Sequence, residues 1–282
     1  SSAIPLAGEW RAAVEGWYPM GGSAPPPAAP EQPANAKDLP AFLYNGMIAP
    51  LAPYAIRGVL WYQGESNAVE AGAYAGLLAR LAESWRAAWG QGEFPFLYAQ
   101  LPAFGGAYQP RRAIGASLRE AQLDALGQIP AAAMIPLLDL GDCADIHPRR
   151  KREAGERFAR AAHALAYGEA IEYSGPVLRG WRAEDGRMIL EFDHTAGALR
   201  SLPPGAPPAG FWISGEDRVF RPAKAKIEGE SVIVWREEIE SPAAVRYAWS
   251  DCPAPSLFNA AGLPAPSFRT DRWPDAVLLP PP

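Results

Sequence analysis

The stretch LWYQGESN, residues 60–67, places several polar groups of different chemistry directly after an apolar run. In chain order they are the amide of Gln63, the carboxylate of Glu65, the hydroxyl of Ser66 and the amide of Asn67. Gly64 stands between Gln63 and Glu65. An acyl transfer needs a fixed donor where negative charge develops on the carbonyl oxygen, and a side-chain amide such as that of Gln63 can supply one. Gly64 lets the backbone and a substrate approach closely. A cap on the following helix, built from Gln63, Ser66 and Asn67, explains the same residues equally well.

A second polar stretch, DLGDCADIHPRRK, contains the histidine whose surroundings best fit catalysis. Asp145 stands two residues before His147, and Pro148 fixes the next backbone angle. A histidine can take a proton from a nucleophile near neutral pH, and a carboxylate can orient its ring and stabilise the imidazolium. We interpret His147 as a candidate general base and Asp145 as its partner, against the commoner case of a structural histidine. His163 and His194 are interpreted as ordinary structural or surface residues.

The elements that position these residues alternate between strands and helices from residue 56 to residue 168. Strands are predicted at Ile56 to Tyr62, Phe94 to Leu101 and Ala133 to Leu140. Helices are predicted from three signals: an apolar stripe from Tyr74 to Trp89, the capping box Ser117-Leu118-Arg119-Glu120, and a stripe over Arg149 to Tyr167. Gly90 and Gly168 are the expected ends of the first and third helices. The alternation predicts a parallel sheet covered on both faces, with ligands beyond the carboxyl ends of its strands.

After about residue 170 the chain changes to short apolar runs separated by turn residues. Examples are Met188 to Phe192, Gly210 to Ile213, Ser231 to Trp235 and Val245 to Trp249. This pattern predicts a small all-β domain, most simply a sandwich. Residues 19–40 are rich in proline and alanine and are expected to be a linker or an exposed insertion. The predicted domains are therefore an N-terminal segment over 1–41, an α/β core over 42–170 and a β domain over 171–282.

The composition of the 282 residues is that of a globular protein, 49% hydrophobic and 20% charged. A net charge of −5 without a run of Lys or Arg argues against a nucleic-acid or anionic-membrane partner. No metal site is expected, because no zinc or calcium spacing occurs. No membrane span and no signal peptide is visible, and the lack of an initiating Met predicts a processed or truncated chain. Cys143 and Cys252 are interpreted as buried free thiols in preference to a disulfide.

Longer stretches around both motifs resemble the sialate O-acetylesterase family, a branch of the SGNH-type hydrolases that includes acetyl-xylooligosaccharide esterases. They are LYNGMIAPLAPYAIRGVLWYQGESNA and DLGDCADIHPRRKREAGERFARAAHALAYG, and GFWISGEDRVFRPAKAKIEG and FRTDRW extend the resemblance along the tail. The resemblance implies a three-layer flavodoxin-like α/β core, a serine nucleophile, a histidine base and no metal or other cofactor. It also implies a periplasmic or secreted protein.

The resemblance carries roles to particular residues by motif match. Gln63 takes the place of the oxyanion donor, His147 that of the base and Asp145 that of the acid. Many SGNH hydrolases hold the acid three residues before the histidine, where this chain has Ala144. Glu65 therefore stays open as an alternative orienting acid.

Three further residues of the matching motifs, Asn45, Gly64 and Asn67, are predicted to contribute to the oxyanion or substrate site. The family's nucleophile belongs to an early Gly-Gln-Ser-Asn-type motif that this sequence lacks. We therefore interpret the chain as the C-terminal part of an esterase whose N-terminal part is its partner. The predicted activity is removal of O-acetyl groups from a carbohydrate, first of all sialic acid. A hemicellulose or acetyl-xylooligosaccharide esterase and a non-catalytic carbohydrate-binding protein remain as alternatives.

Overall fold

The computed structural model describes residues 41–52, 54–105, 113–273 and 277–278. The N-terminal segment predicted over 1–41 lies outside these residues except for Ala41. The chain divides into two compact units between Leu51 and Ala52. In the first unit, the described residues form a π-helical turn at Tyr44–Ile48 and a 3₁₀ turn at Ala49–Leu51.

The second unit begins with a sheet of three parallel strands in the order β1-β2-β3. Their bounds are β1 (Val59–Trp61), β2 (Phe96–Gln100) and β3 (Ala132–Pro136). Every residue of β2 is buried, because it lies between two strands and under helices on both faces. β3 ends earlier than predicted: Pro136 has no N–H for a continuing ladder, and the chain enters a 3₁₀ turn at Leu138–Leu140.

Three helices cover the two faces of this sheet. They are α1 (Ala71–Trp89), α2 (Ile114–Asp124) and α3 (Lys151–Tyr167). α1 and α2 pack on the face of Phe96 and Tyr98, whereas α3 packs on the opposite face through Phe158. Gly90 and Gly168 end α1 and α3 with left-handed backbone angles, as predicted. The predicted three-layer α/β core is confirmed, and no helix among the described residues combines the length and apolar character needed to cross a membrane.

The capping box predicted for α2 is wrong. The helix begins at Ile114, before Ser117, whose hydroxyl donates to a backbone carbonyl of the preceding turn at 3.0 Å. Glu120 forms an ion pair with an arginine from the C-terminal end of the chain instead of closing the box. The N–H of Gly115 donates to Oδ1 of Asp251 at 2.8 Å, and Asp251 lies 136 positions later in the chain. A distant carboxylate therefore supplies the acceptor at this helix N-terminus, which local spacing cannot show.

From Val177 onward the described residues form β-strands joined by turns, without a helix, and this part is here called the β region. Its strands are β4 (Val177–Glu184), β5 (Arg187–Asp193), β6 (Leu199–Ser201), β7 (Phe211–Ser214), β8 (Val219–Pro222), β9 (Lys224–Glu228), β10 (Ser231–Trp235), β11 (Ala244–Tyr247), β12 (Leu257–Asn259), β13 (Phe268–Arg269) and β14 (Val277–Leu278). They form sheets in the orders β4-β5-β10-β9, β13-β11-β7-β8-β14 and β12-β6. Inner residues of these sheets share one core, which includes Leu190, Phe211, Val232 and Tyr247. The predicted all-β sandwich is confirmed, with one parallel pairing between β8 and β14.

The interpretation of the two cysteines as free thiols is wrong. Cys143 and Cys252 form a disulfide whose Cα atoms are 5.6 Å apart and whose positions in the chain differ by 109 residues. Cys143 lies on the loop between β3 and α3, and Cys252 lies between β11 and β12. The pairing depends on a fold that brings these two loops together, which the number and spacing of cysteines do not reveal.

Candidate active site

A cleft of about 250 Å³ lies beyond the carboxyl ends of the three parallel strands. Glu65 reaches it from the segment after β1, Leu101 and Phe104 from the segment after β2, and Ile146 from the loop after β3. Asp251 of the β region closes another side. An open parallel sheet binds its ligands at this position, so the cleft is the candidate active site.

Gln63 lies at the end of β1, with its side chain held by two neighbours. Its Nε2 donates to Oδ1 of Asn67 at 2.7 Å. The Tyr74 hydroxyl donates to the backbone carbonyl of Gln63 at 2.9 Å and lies 3.3 Å from its Oε1. Burial raises the pKa of Tyr74, so this hydroxyl keeps its proton. Gln63 is next to the cleft without being one of its described lining residues, and its role as oxyanion donor stays a prediction.

Gly64 makes the sharp turn between β1 and the 3₁₀ helix Glu65–Glu70. Its φ is +152°, which residues with a side chain rarely adopt. A Cβ here would lie 3.2 Å from Nε2 of Gln122 and 3.2 Å from Cδ2 of Leu118. The glycine therefore allows α2 to pack closely behind the turn. Its predicted contribution to substrate binding stays a prediction.

Asp145 contacts the backbone of His147 and comes near its ring. The N–H of His147 donates to Oδ1 of Asp145 at 2.8 Å, and the same oxygen is 3.9 Å from Nδ1 of the ring. That second distance is too long for a hydrogen bond. The side chain of His147 is 89% exposed, so packing does not fix the orientation of its ring. Asp142 makes the same kind of turn by accepting the N–H of Ala144 at 2.9 Å.

Glu65 and Ser66 lie in the 3₁₀ helix after Gly64, and both are exposed. Glu65 lines the cleft. Among the described residues, neither Glu65 nor Asp145 forms a hydrogen bond with the ring of His147, so the choice between them stays a prediction. Asn45 belongs to the first compact unit, where its N–H donates to the carbonyl of Ala41 at 2.8 Å, and its role also stays a prediction.

Asp251 is a site residue that sequence reasoning missed. Its Oδ1 accepts the N–H of Gly115, and its carbonyl accepts the N–H of Phe104 at 3.2 Å. The next residue, Cys252, is bonded to the loop that carries His147. These contacts fix the carboxylate in the wall of the cleft. No local motif surrounds Asp251, and the neighbouring cysteine is the only signal in the sequence that could have drawn attention to it.

Arg119 joins α2 to the β region beneath the cleft. Its side chain is fully buried, and Nε donates to the hydroxyl of Ser267 at 3.0 Å. Its other guanidinium nitrogens donate to the backbone carbonyls of Ser250 and Asp251. Burial lowers the pKa of Arg119 to about 10, partly opposed by Asp251, so the group is charged at neutral pH. The described residues contain no group of three or more His, Cys, Asp or Glu side chains placed to hold a metal ion.

The three-layer α/β core and the all-β sandwich that follows it define an SGNH hydrolase-type fold, with a cleft at the strand ends. Residues 35–164, which contain both motifs, match the family described as carbohydrate esterase, sialic acid-specific acetylesterase. The part of the chain that carries both motifs is therefore similar to the sialic acid-specific acetylesterase family.

The relatives in this comparison are sialate O-acetylesterases and a bacterial acetylesterase. The Mus musculus sialate O-acetylesterase is 31% identical in an alignment of 171 residues that covers 54% of this chain and 31% of that protein. The Homo sapiens protein is 32% identical in an alignment of 153 residues that covers 48% of this chain and 29% of that protein. The crystal structure of a carbohydrate acetylesterase from Xanthomonas citri is 42% identical, with a TM-score of 0.81 over 85% of this chain and 56% of that one. The chain thus spans less than a third of the mammalian relatives.

Proposed function

We propose that this chain is part of a serine esterase that removes O-acetyl groups from a carbohydrate, with sialic acid as the sugar. The observation that carries the proposal is the cleft at the strand ends, where Glu65 and the loop of His147 approach each other. The family match over both motifs supports the class of reaction. The similarity to a solved carbohydrate acetylesterase supports it independently.

In the proposed reaction His147 takes the proton of a serine hydroxyl as that oxygen attacks the acetyl carbonyl carbon. Asp145, or in the alternative Glu65, orients the ring and stabilises the imidazolium. The amide of Gln63 donates to the oxyanion of the tetrahedral intermediate, because only one of its two N–H bonds is committed to Asn67. The imidazolium then gives its proton to the departing sugar oxygen. Water releases acetate from the acetyl-serine in a second round with His147 again as base.

We place the attacking serine in another part of the protein, which would be the partner of this chain. The reason is that the Gly-Gln-Ser-Asn-type motif of the family does not occur among the 282 residues. Ser66 is the alternative within the chain, since it is exposed directly after Gly64 and Glu65. We also propose a periplasmic or secreted location. The disulfide between Cys143 and Cys252 favours it, because such bonds persist in oxidising compartments.

Two other functions remain as competing proposals. A hemicellulose acetylesterase fits the bacterial relative equally well, because the name of that protein specifies a carbohydrate without specifying the sugar. A non-catalytic carbohydrate-binding protein is supported by the absence of the serine motif from this sequence. Both alternatives use the same cleft. The hemicellulose acetylesterase differs from the first proposal in the sugar that it accepts, and the non-catalytic protein differs in having no turnover.

The test is acetate release by the intact gene product from O-acetylated sialic acid and from acetylated xylo-oligosaccharides, measured side by side. The proposal predicts turnover that is higher on the sialic acid ester and is abolished in His147→Ala. His163→Ala is the matched control, because His163 is an exposed histidine of α3 that pairs with Glu169 at 2.7 Å. Preference for the xylan ester would transfer the assignment to hemicellulose. Absence of turnover on both esters would favour the non-catalytic protein.

A further inference from the structure

A second and larger cleft, of about 670 Å³, lies where the loop after β3 meets the β region. Asp139 and Arg150 line it from the α/β core, whereas Arg200 and Phe258 line it from the paired strands β6 and β12. Small-molecule pockets have volumes of roughly 300–1,000 Å³ and occur preferentially between domains. Size and position therefore suit a ligand of about two sugar rings.

One charged pair in this cleft is fully satisfied within the protein. Arg157 donates from both terminal nitrogens to the carboxylate of Asp139, at 2.7 and 2.6 Å. The two side chains are only 12% and 18% exposed. This bidentate pair cancels its own charge and forms part of the cleft wall. It leaves the charge of the cleft to the remaining two arginines.

Those two arginines have donors available for a ligand. Arg200 is exposed on β6, and its side chain forms neither an ion pair nor a hydrogen bond with the residues described by the structure. Arg150 uses Nε for Glu153 and Nη1 for the carbonyl of Asp139, and its Nη2 has no acceptor within the described part of the chain. Glu153 offsets the charge of Arg150 at 2.9 Å, so among the described residues Arg200 is the arginine of this cleft without a carboxylate partner. Guanidinium groups are well suited to bind carboxylates because they offer paired donors in one plane.

The rest of the lining is mainly apolar. Leu199 and Phe258 are buried, Ile227 is half-buried, and Leu202 leaves 48% of its surface exposed. Sugar rings present C–H faces that pack against such surfaces, while their polar substituents point to the edges. An apolar floor with cations at its rim fits a sugar that carries a carboxylate better than it fits a free inorganic anion.

We propose that this second cleft, here called the arginine cleft, binds a carboxylate-bearing saccharide through Arg200 and Arg150. The proposal rests on the proposed function, because it takes the ligand to be a carbohydrate, and it adds a second binding site, separate from the candidate active site, that selects for the carboxylate. Asp139 and Arg150 stand on either side of the loop that carries His147, and Ile146 of that loop lines the first cleft. A ligand in the arginine cleft therefore contacts residues that bracket the candidate base.

The test is direct binding of unacetylated sugars to the full-length protein by calorimetry, so that its outcome does not depend on esterase activity. The probes are a sialic acid-terminated trisaccharide, a galacturonic acid oligomer, a neutral xylo-oligosaccharide and sodium sulfate. We expect one or both acidic sugars to bind, the neutral sugar to bind at least tenfold more weakly, and added salt to weaken the binding. Arg200→Gln should raise the Kd for the acidic sugar at least tenfold, as expected for loss of a charge-assisted hydrogen bond.

The matched control is Arg152→Gln, which removes an 89% exposed arginine of α3 that pairs with Glu156 outside the cleft. It should leave the Kd unchanged, and unchanged Tm values would show that each variant is folded. If Arg150 and Arg200 hold the same carboxylate, the double variant should lose less than the sum of the single losses. The proposal is overturned if acidic and neutral sugars bind alike, if no acidic sugar binds, if Arg200→Gln has no effect, or if sulfate binds as tightly as the acidic sugar.

Discussion

Oδ1 of Asp145 accepts the backbone N–H of His147 at 2.8 Å and lies 3.9 Å from Nδ1 of the same residue's ring. One carboxylate oxygen therefore fixes the backbone of the candidate base and stands near the ring nitrogen that an orienting acid must contact. A small rotation of the exposed ring would bring Nδ1 within hydrogen-bond distance, and catalytic hydrogen bonds often tighten only when substrate binds.

Asp145→Asn should lower kcat of the intact enzyme by several orders of magnitude while leaving Tm nearly unchanged. The amide oxygen of Asn can still accept the N–H of His147, so the turn is kept and the negative charge beside the ring is lost. The corresponding change in a serine protease lowers kcat by about 10⁴. Steady-state kinetics and thermal unfolding of the same preparation provide the measurement.

Asp142→Asn is the control for that change, because Asp142 makes the same turn in the same loop by accepting the N–H of Ala144. It should keep near-normal kcat. Glu65→Gln should also cost much less than Asp145→Asn. If Glu65→Gln is the inactive variant and Asp145→Asn retains activity, Glu65 must replace Asp145 as the orienting acid.

Gln63→Ala should reduce kcat by roughly 10²–10³ with little change in KM, since loss of one oxyanion donor has an effect of this size. Asn67→Ala is the comparison, because it removes only the acceptor that holds Nε2 of Gln63 at 2.7 Å. It should reduce kcat by a smaller factor through loss of positioning. Equal activity of Gln63→Ala and the parent enzyme on O-acetylated sugars would remove Gln63 from the oxyanion site.

Replacing both Cys143 and Cys252 by Ser should lower the free energy of unfolding by about 2–4 kcal/mol, the typical effect of a native disulfide. Urea unfolding of the double variant and of the oxidised parent gives the difference. Thiol titration of the native, unreduced protein should detect no free cysteine. The variant should also lose kcat, because the bond holds the loop of His147 against the β region. Two free thiols in protein purified from an oxidising compartment would contradict this pairing.

Asp251→Asn should raise KM about 10-fold or more with a smaller effect on kcat, because a carboxylate is a strong acceptor for sugar hydroxyls at the cleft wall. Asn can still accept the N–H of Gly115, so the N-terminus of α2 should stay capped and Tm should change little. Asp251→Ala removes both functions and should lower Tm as well. An Asp251→Asn enzyme with parental KM would limit this residue to a structural role.

The architecture was predictable because apolar residues recur with a different spacing in the α/β core and in the β region. Alternating strands and helices gave the parallel sheet, and the short apolar runs after residue 170 gave the sandwich. The strand predicted at Ser231 to Trp235 has those bounds in the structure. Within α1 the predicted apolar stripe is confirmed at Tyr74 and Leu78, which are buried, whereas Leu77 is 51% exposed. Ala75 and Ala82 also face the core, where small side chains allow closer packing.

The site was less predictable because its wall is assembled from segments that are far apart in the chain. Gln63, Asp145 and His147 stand out through local motifs, and the structure places them around the carboxyl ends of the sheet. Asp251 and the disulfide partner Cys252 have no such local pattern, since their neighbours in space are separated from them by more than a hundred positions. The charges and the spacing of residues in the sequence indicate individual helices and strands. The contacts of Asp251 and Cys252, in contrast, form only when the β region packs onto α2.

The capping of α2 by Asp251 limits how this protein can be truncated or fused to parts of other proteins. A truncation after α3 would expose the N-terminus of the helix that forms one side of the cleft, and would leave the cleft open to solvent on that side. Arg119 would lose the carbonyls of Ser250 and Asp251 that accept hydrogen bonds from its guanidinium group. The sandwich is therefore not an interchangeable module. A chimera that borrows the β region of another protein would work only if the donor brings a matching acidic residue and a cysteine in register with Cys143.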